Sequence, residues 1–302
     1  MAGGTRAGGP SLWARWITAT RPATLPAAIA PVLVGTAAAS REGLFHPLVF
    51  ATTLGAALLI QIATNLSNDL FDFQRGADTP ERMGPTRVTQ SGLITPEQMR
   101  TAMFVSFGAA ATGGLYLVAV GGWPIVIIGV LSIAAGVTYT GGPWPLGYHG
   151  LGDLLVFVFF GLVAVTGTYY LQTQTLSAAA FFGAVPVGFL VTAILVVNNL
   201  RDIDTDRRAR KLTLAVRIGD RATRLQYAAL LGGAYGASTL FLFPHAAAAA
   251  CLPWLSAPMA LGLARTVLSG ATGHALNPVL RRTALLHLAF GVLLALGLVL
   301  RV

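Results

Sequence analysis

Two short stretches of this chain concentrate carboxylates and amides in a spacing that suits metal-assisted phosphate chemistry. The first contains Gln61, Asn65, Asn68, Asp69 and Asp72, then continues through Arg75 and Gly76 to Asp78 and Thr79. At 3.6 residues per turn, Gln61, Asn65, Asn68 and Asp72 stack on one helix face. Gly76 suits a helix C-terminus, so Asp78 would curl back from a loop. The second stretch is Asn198-Asn199-Leu-Arg201-Asp202-Ile-Asp204-Thr-Asp206. Here Asn198, Asn199, Asp202 and Asp206 share a face, while Asp204, like Asp69 in the first stretch, points elsewhere. Two converging carboxylate stripes are costly unless a cation sits between them. A purely oxygen ligand set favours a hard divalent ion, and Mg²⁺ typically takes one or two carboxylates and completes its octahedron with phosphate oxygens and water. Arg75, Arg82, Arg87, Arg201, Arg207, Arg208, Arg210, Lys211 and Arg217 cluster around the two stretches and supply donors for phosphate oxygens. Metal-bound diphosphate is a leaving group, and an allylic diphosphate would ionise to a carbocation that needs shelter from water.

The elements that position these groups belong to a membrane protein. Hydrophobic residues make up 55% of the 302 and charged residues 10%, where a soluble domain carries roughly 25% charged. Mean hydropathy is +0.69. A soluble globule, a disordered chain and a coiled coil are all excluded. The net charge of +9 is not a nucleic-acid footprint, which needs a solvated basic face. Windows of about 20 apolar residues give nine expected spans, near 24–40, 48–66, 101–120, 123–140, 153–171, 178–198, 226–243, 246–265 and 283–300. The first carries Pro22, Pro26 and Pro31 and should kink, as bilayers tolerate where neighbouring helices cover freed carbonyls. Residues 1–12 read as a flexible Gly-rich tail without a cleavable signal pattern, and residues 13–302 as one all-α transmembrane domain with cytoplasmic cap loops. With nine spans, one face collects all but Arg41 and Arg301 of the 20 basic residues. The positive-inside rule puts that face, with the N-terminus, in the cytoplasm of a multi-pass cell-membrane protein, leaving the C-terminus outside. All but Glu42 of the 11 acidic residues lie there too. Orientation does not require acids to follow, which points to a polar chemical site on that side.

Each of these residues has a plainer explanation. A lone Asp at a helix end is usually solvated, and the other Arg residues set topology by default. Two Asn-x3-Asp stripes at the ends of even-numbered spans are harder to explain that way. Lys211 is the only lysine in the chain and sits beside the acids. Cys251 reads as a small buried hydrophobe, His287 as a packed histidine, and Gly161, Gly167, Gly183 and Gly188 as close-packing positions.

The two acidic stretches resemble the motifs of the UbiA superfamily of intramembrane aromatic prenyltransferases, and the resemblance runs from about residue 20 to the last span. Further details resemble its 1,4-dihydroxy-2-naphthoate branch. These are the Gly76-Ala-Asp78-Thr79 ending, Gly84-Pro85-Thr-Arg87 with Ser91-Gly92, Tyr139-Thr-Gly-Gly-Pro143, and Lys211-Leu-Thr-Leu-Ala-Val-Arg217. Many superfamily members space the first acids as Asp-x3-Asp, whereas five residues separate Asp72 from Asp78. Arg210 and Asp153 also depart from residues common in the branch. The resemblance implies a nine-helix bundle, two Mg²⁺ ions and a lateral opening for a polyprenyl chain. It implies that Asn68, Asp72, Asp78, Asn198, Asp202 and Asp206 hold Mg²⁺ and diphosphate. Arg21, Arg87, Arg201 and Lys211 would contact anionic substrate groups, and Tyr139 would lie near the reacting allylic carbon.

The expected reaction is prenyl transfer from a polyprenyl diphosphate to 1,4-dihydroxy-2-naphthoate, with loss of diphosphate and CO₂, giving demethylmenaquinone. Asp72, Asp202, Asp206, Tyr139 and Lys211 are the expected catalytic residues. A sister enzyme acting on 4-hydroxybenzoate or homogentisate is the nearest alternative. From other classes come a transporter of cations or lipid phosphates, which would more typically place acids at mid-membrane, and an inactive quinone-binding scaffold. The expected partners are the two substrates and the lipid bilayer, with no nucleic acid; nothing in the sequence specifies an oligomeric state.

Overall fold

The computed structural model describes residues 10–77, 83–242 and 246–300, so Asp78, Arg82 and the first nine residues of the expected tail lie outside the described residues. The described residues are helical, with no β-strand among them. The helices are α1 (Leu12–Thr20), α2 (Pro26–Arg41), α3 (Pro47–Gln74), α4 (Pro96–Gly121), α5 (Trp123–Thr138), α6 (Gly152–Thr173), α7 (Ala178–Arg201), α8 (Ile203–Arg208), α9 (Leu214–Leu242), α10 (Ala247–Leu268) and α11 (Leu276–Val299).

Each expected span falls in a helix. Six of these, among the described residues, are long and apolar enough to cross a membrane, and a bent pair made of Leu12–Thr24 and Pro26–Arg41 makes a seventh. The bend measures 51°. It sits where Arg21 takes a left-handed φ of 51° and a short 3₁₀ turn, Pro22–Thr24, precedes Pro26. The prolines at 22 and 26 cannot donate to a continuous helical ladder, which is why the chain turns there. Helix α5 is apolar but has 16 residues. Helix α9 has 29 and kinks at Gly219, whose φ of 82° lies outside the helical region. Its first turns carry Arg217, Asp220, Arg221 and Arg224, which hid them from an apolar window starting at 226.

Helix α7 is the centre of the bundle. It packs on α9, on α11 and on the middle of α6, while α2 packs on α11 and the second half of α6. Small residues permit close crossing of α6 and α7: a Cβ on Gly161 would stand 2.5 Å from the Gly188 Cα. Around Gly161, residues Phe157–Val163 wind as a π segment, a widened turn that recurs at functional sites. A second cluster of buried side chains, including Leu66, Leu70, Val88, Ile94 and Met99, ties the loop after α3 down onto α3 and α4. A capping box from Thr95 and Gln98 starts α4 directly behind that loop. Both acidic stretches therefore come out at ends of helices that other helices hold in place.

Candidate active site

Helix α3 runs without a break to Gln74, so Gln61, Asn65, Asn68 and Asp72 do form one stripe, and all four line a single cavity of about 740 Å³. Their tasks differ. Gln61 and Asn65 both donate to the Thr24 hydroxyl, and Asn65 also donates to the Thr20 carbonyl. These two amides thus fasten the bent entry of α1 and α2 to α3. Asn68 accepts from the Thr140 hydroxyl at 2.9 Å. Beyond the last turn, Ala77 N–H donates to the Asp72 carbonyl and Gly76 N–H to Phe73, with Gly76 at φ 68°. That hydrogen-bond pair around a left-handed glycine stops the helix.

Asp72 is 1% exposed. Its Oδ2 receives Arg87 Nη2 at 3.1 Å and lies 3.7 Å from Lys211 Nζ; its Oδ1 accepts the Tyr148 hydroxyl at 2.8 Å. Lys211 also lies 4.0 Å from Asp206, so one ammonium joins the two acidic stretches. Arg87 is buried because its loop folds back: Leu93 and Ile94 N–H both donate to the Val88 carbonyl, and Val88 and Ile94 are themselves buried. Asp69 does not simply point to solvent. It is buried, accepts the Thr89 N–H at 3.1 Å, and lies 3.8 Å from Arg21. It thereby fixes the segment that carries Arg87.

The second stretch is not one continuous helix. Helix α7 ends at Arg201, and Asp202, at φ −97° and ψ 8°, bends the chain into α8. The hydrogen bonds Asp202 N–H to Asn198 and Asp206 N–H to Asp202 persist on either side. The bend accompanies a two-point ion pair between neighbours: Arg201 donates to both Asp202 oxygens, at 2.9 and 2.6 Å. Arg201 also donates to Asn198 at 2.8 Å and to Asn277 at 3.0 Å. Asp206 is half-buried, whereas Asp204 is exposed and lies 3.7 Å from Arg207.

Arg21, Asn68, Asp72, Arg87, Asn198, Arg201, Lys211 and Tyr139 all line the same cavity, to which Asp202 and Asp206 attach through Arg201 and Lys211. Gly147 and Gly152 press on Tyr139, where an added Cβ would come within 2.9 Å of its carbonyl and 2.8 Å of its hydroxyl. Two residues of the site escaped the sequence reading. Tyr148 binds Asp72, and Asn277, at the start of α11, joins Arg201 to the Met83 carbonyl. Neither residue stands in a sequence motif: Asn277 precedes Arg281 and Arg282 in the polar first turns of its helix, and Tyr148 sits in a loop. Burial, and then the negative charge of the Asp72 it binds, push the Tyr148 phenol above its ordinary value, so it stays an O–H donor.

Among the described residues no three Asp, Glu, His or Cys side chains meet as a ready-made metal cage. The donors that do line the site are carboxylate and amide oxygens whose charge is matched by Arg and Lys. That chemistry fits a hard cation carrying phosphate oxygens and not a His or thiolate metal. Other parts of the cavity wall, including Ala27, Ala57, Ile60, Phe159 and Val191, are apolar.

A model of the UbiA prenyltransferase family matches residues 28–275. A 1,4-dihydroxy-2-naphthoate octaprenyltransferase from Mycobacterium tuberculosis is 43% identical over 94% of this chain and 96% of its own length. Its counterpart from Escherichia coli is 42% identical over 94% of both. Among solved structures, a UbiA homolog from Archaeoglobus fulgidus bound to DMAPP and Mg²⁺ superposes with a TM-score of 0.62 at 12% identity, covering 93% of this chain and 99% of that one.

Proposed function

The chain belongs to the UbiA prenyltransferase family, and from that premise we propose that it transfers a polyprenyl group to 1,4-dihydroxy-2-naphthoate. The observation that carries the reading is one cavity that gathers Asn68, Asp72, Arg87, Asn198, Arg201 and Lys211 and is also walled by apolar side chains such as Ile60, Phe159, Phe160, Val191 and Ile194. The two relatives named as 1,4-dihydroxy-2-naphthoate octaprenyltransferases match nearly the whole length, which supports this acceptor over 4-hydroxybenzoate or homogentisate.

Asn68, Asp72, Asn198, Asp202 and Asp206, with Asp78, would hold Mg²⁺. When bound, the metal neutralises the diphosphate and makes it a leaving group. Arg87, Arg201 and Lys211 donate to the diphosphate oxygens and hold them in place. Arg21, which also lines the cavity, would contact an anionic substrate group. As the allylic C–O bond breaks, Tyr139 offers its π face to the developing cation, and the apolar walls exclude water that would otherwise capture it. The ring carbon bearing the carboxylate forms the new C–C bond. Its C–CO₂ bond then breaks, the electron pair returns to the ring, and CO₂ departs. The organic product is the hydroquinone form of demethylmenaquinone.

Incubating purified chain with a labelled polyprenyl diphosphate, Mg²⁺ and a panel of aromatic acceptors, followed by product mass spectrometry, tests the reading. The naphthoate should give the only abundant product, and chelation should abolish it until Mg²⁺ is restored. A prenylated 4-hydroxybenzoate as main product, or full turnover after metals are stripped, would overturn it.

We propose that the nine apolar windows are spans in the cell membrane, and that the placement of basic residues orients them with the acidic stretches and the N-terminus cytoplasmic and the C-terminus outside. In a Cys251→Ala background, an impermeant thiol reagent on intact cells should label Thr175→Cys and spare Ser91→Cys. The reverse pattern would mean the orientation is inverted.

A further inference from the structure

Tyr148 lies in the loop between α5 and α6, outside both acidic stretches, yet it touches the first of them and the segment that follows the second. Its hydroxyl donates to Asp72 Oδ1 at 2.8 Å. Its ring lies 5.2 Å from the Lys211 ammonium and 5.5 Å from the Arg75 guanidinium, within the range where a cation is attracted to an aromatic face. Its carbonyl accepts the Leu212 N–H at 3.0 Å, so the backbone next to Lys211 is tied to the same residue. The preceding residue, Gly147, donates its N–H to the Tyr139 carbonyl at 2.9 Å. Arg75 completes the attachment by donating to the carbonyls of Thr140 and Gly142. One loop therefore joins the end of α3, Tyr139 and the segment after α8.

We propose that Tyr148 is a positioning residue that orients the Asp72 carboxylate for the divalent cation and holds Lys211 beside it. The proposal rests on the reading that Asp72 is a metal ligand. Occupying Oδ1 with the phenol fixes the carboxylate plane and turns Oδ2 toward Arg87 and Lys211, at 3.1 and 3.7 Å, where a metal-bound diphosphate would be met. Partners of this kind are worth about 10- to 100-fold in metal affinity or activity. The aromatic ring does a separate job, because it attracts the ammonium without competing for the carboxylate.

The two jobs separate by substitution. Tyr148→Phe removes the hydroxyl and keeps the ring; Tyr148→Leu removes both. Binding of Mn²⁺ alone to the detergent-solubilised full chain can be counted from the free-ion paramagnetic resonance signal. Tyr148→Phe should weaken Mn²⁺ binding by at least about tenfold, and raised Mg²⁺ should recover most of its turnover with KM for polyprenyl diphosphate little changed. Tyr148→Leu should show the same metal defect and, in addition, a raised KM for polyprenyl diphosphate. Asp72→Asn serves as the reference. Lost Mn²⁺ binding in Asp72→Asn together with unaltered binding in a folded Tyr148→Phe would overturn the role of Tyr148 and leave the metal reading standing. Unaltered binding in both variants, or no saturable binding to the parent chain, would overturn both.

Discussion

Asp72→Asn and Asp202→Asn should each slow turnover by about a hundredfold to a thousandfold, the equivalent of about 3–4 kcal/mol of barrier, while Asp204→Asn keeps at least about a tenth of the parent rate. The contrast follows from surroundings rather than from residue type. Asp72 and Asp202 are 1% and 4% exposed, and each meets cationic groups directly. Asparagine matches their volume and removes the charge that would balance a divalent cation under the proposed metal-binding role. The Asp204 side chain is 81% exposed and its only described ion pair is with Arg207, itself 58% exposed, an arrangement of little energetic weight. Asp206→Asn should behave like Asp202→Asn, since Asp206 shares Lys211 with Asp72. Asp69→Asn should fall between the two classes, because an amide oxygen can still accept the Thr89 N–H. Steady-state rates, measured alongside thermal unfolding to confirm folding, decide this. Equal losses at 202, 204 and 206 in folded variants would contradict the assignment.

Gly161→Val should produce the largest structural effect. A first side-chain carbon there already stands 2.5 Å from the Gly188 Cα and 3.1 Å from its nitrogen, both backbone atoms of α7. Neither helix can yield by rotating a side chain, so α6 and α7 must move apart. Overpacking of this kind costs about 1–3 kcal/mol and sometimes more. Helix α7 carries Asn198 and Arg201, and α6 begins at Gly152 against Tyr139, so separation should also displace the site. We expect an unfolding midpoint several degrees lower in detergent and a marked loss of turnover. Gly167→Ala is the control: its new Cβ would meet only Ile128 Cδ1, at 3.5 Å, an ordinary contact. A Gly161→Val protein as stable and active as the parent would show that the crossing is looser than described.

What the sequence made legible was periodic or local. Apolar windows located helices at all nine places, and the i, i+4, i+7, i+11 spacing placed Gln61, Asn65, Asn68 and Asp72 on one wall. Charges blurred the edges. The first turns of α9 were invisible to hydropathy because Arg217, Asp220, Arg221 and Arg224 lie in them. The bend at Asp202 was hidden because it depends on how Arg201 and Asp202 pair, which no helical wheel describes. The missed residues depend on contacts across the fold. Tyr148 reaches Asp72, and Arg201 reaches Asn277, each across 76 positions of chain. Likewise, nothing in the spacing of Gln61 and Asn65 distinguished an amide that fastens a helix entry from one that faces a ligand.

The most direct test of the account follows the carboxylate of the acceptor. With carboxyl-labelled 1,4-dihydroxy-2-naphthoate, a polyprenyl diphosphate and Mg²⁺, purified chain should release labelled CO₂ and diphosphate in a one-to-one ratio while the prenylated product carries no label. Diphosphate release without CO₂, or a prenylated product that retains the labelled carboxylate, would contradict decarboxylative prenyl transfer at this site.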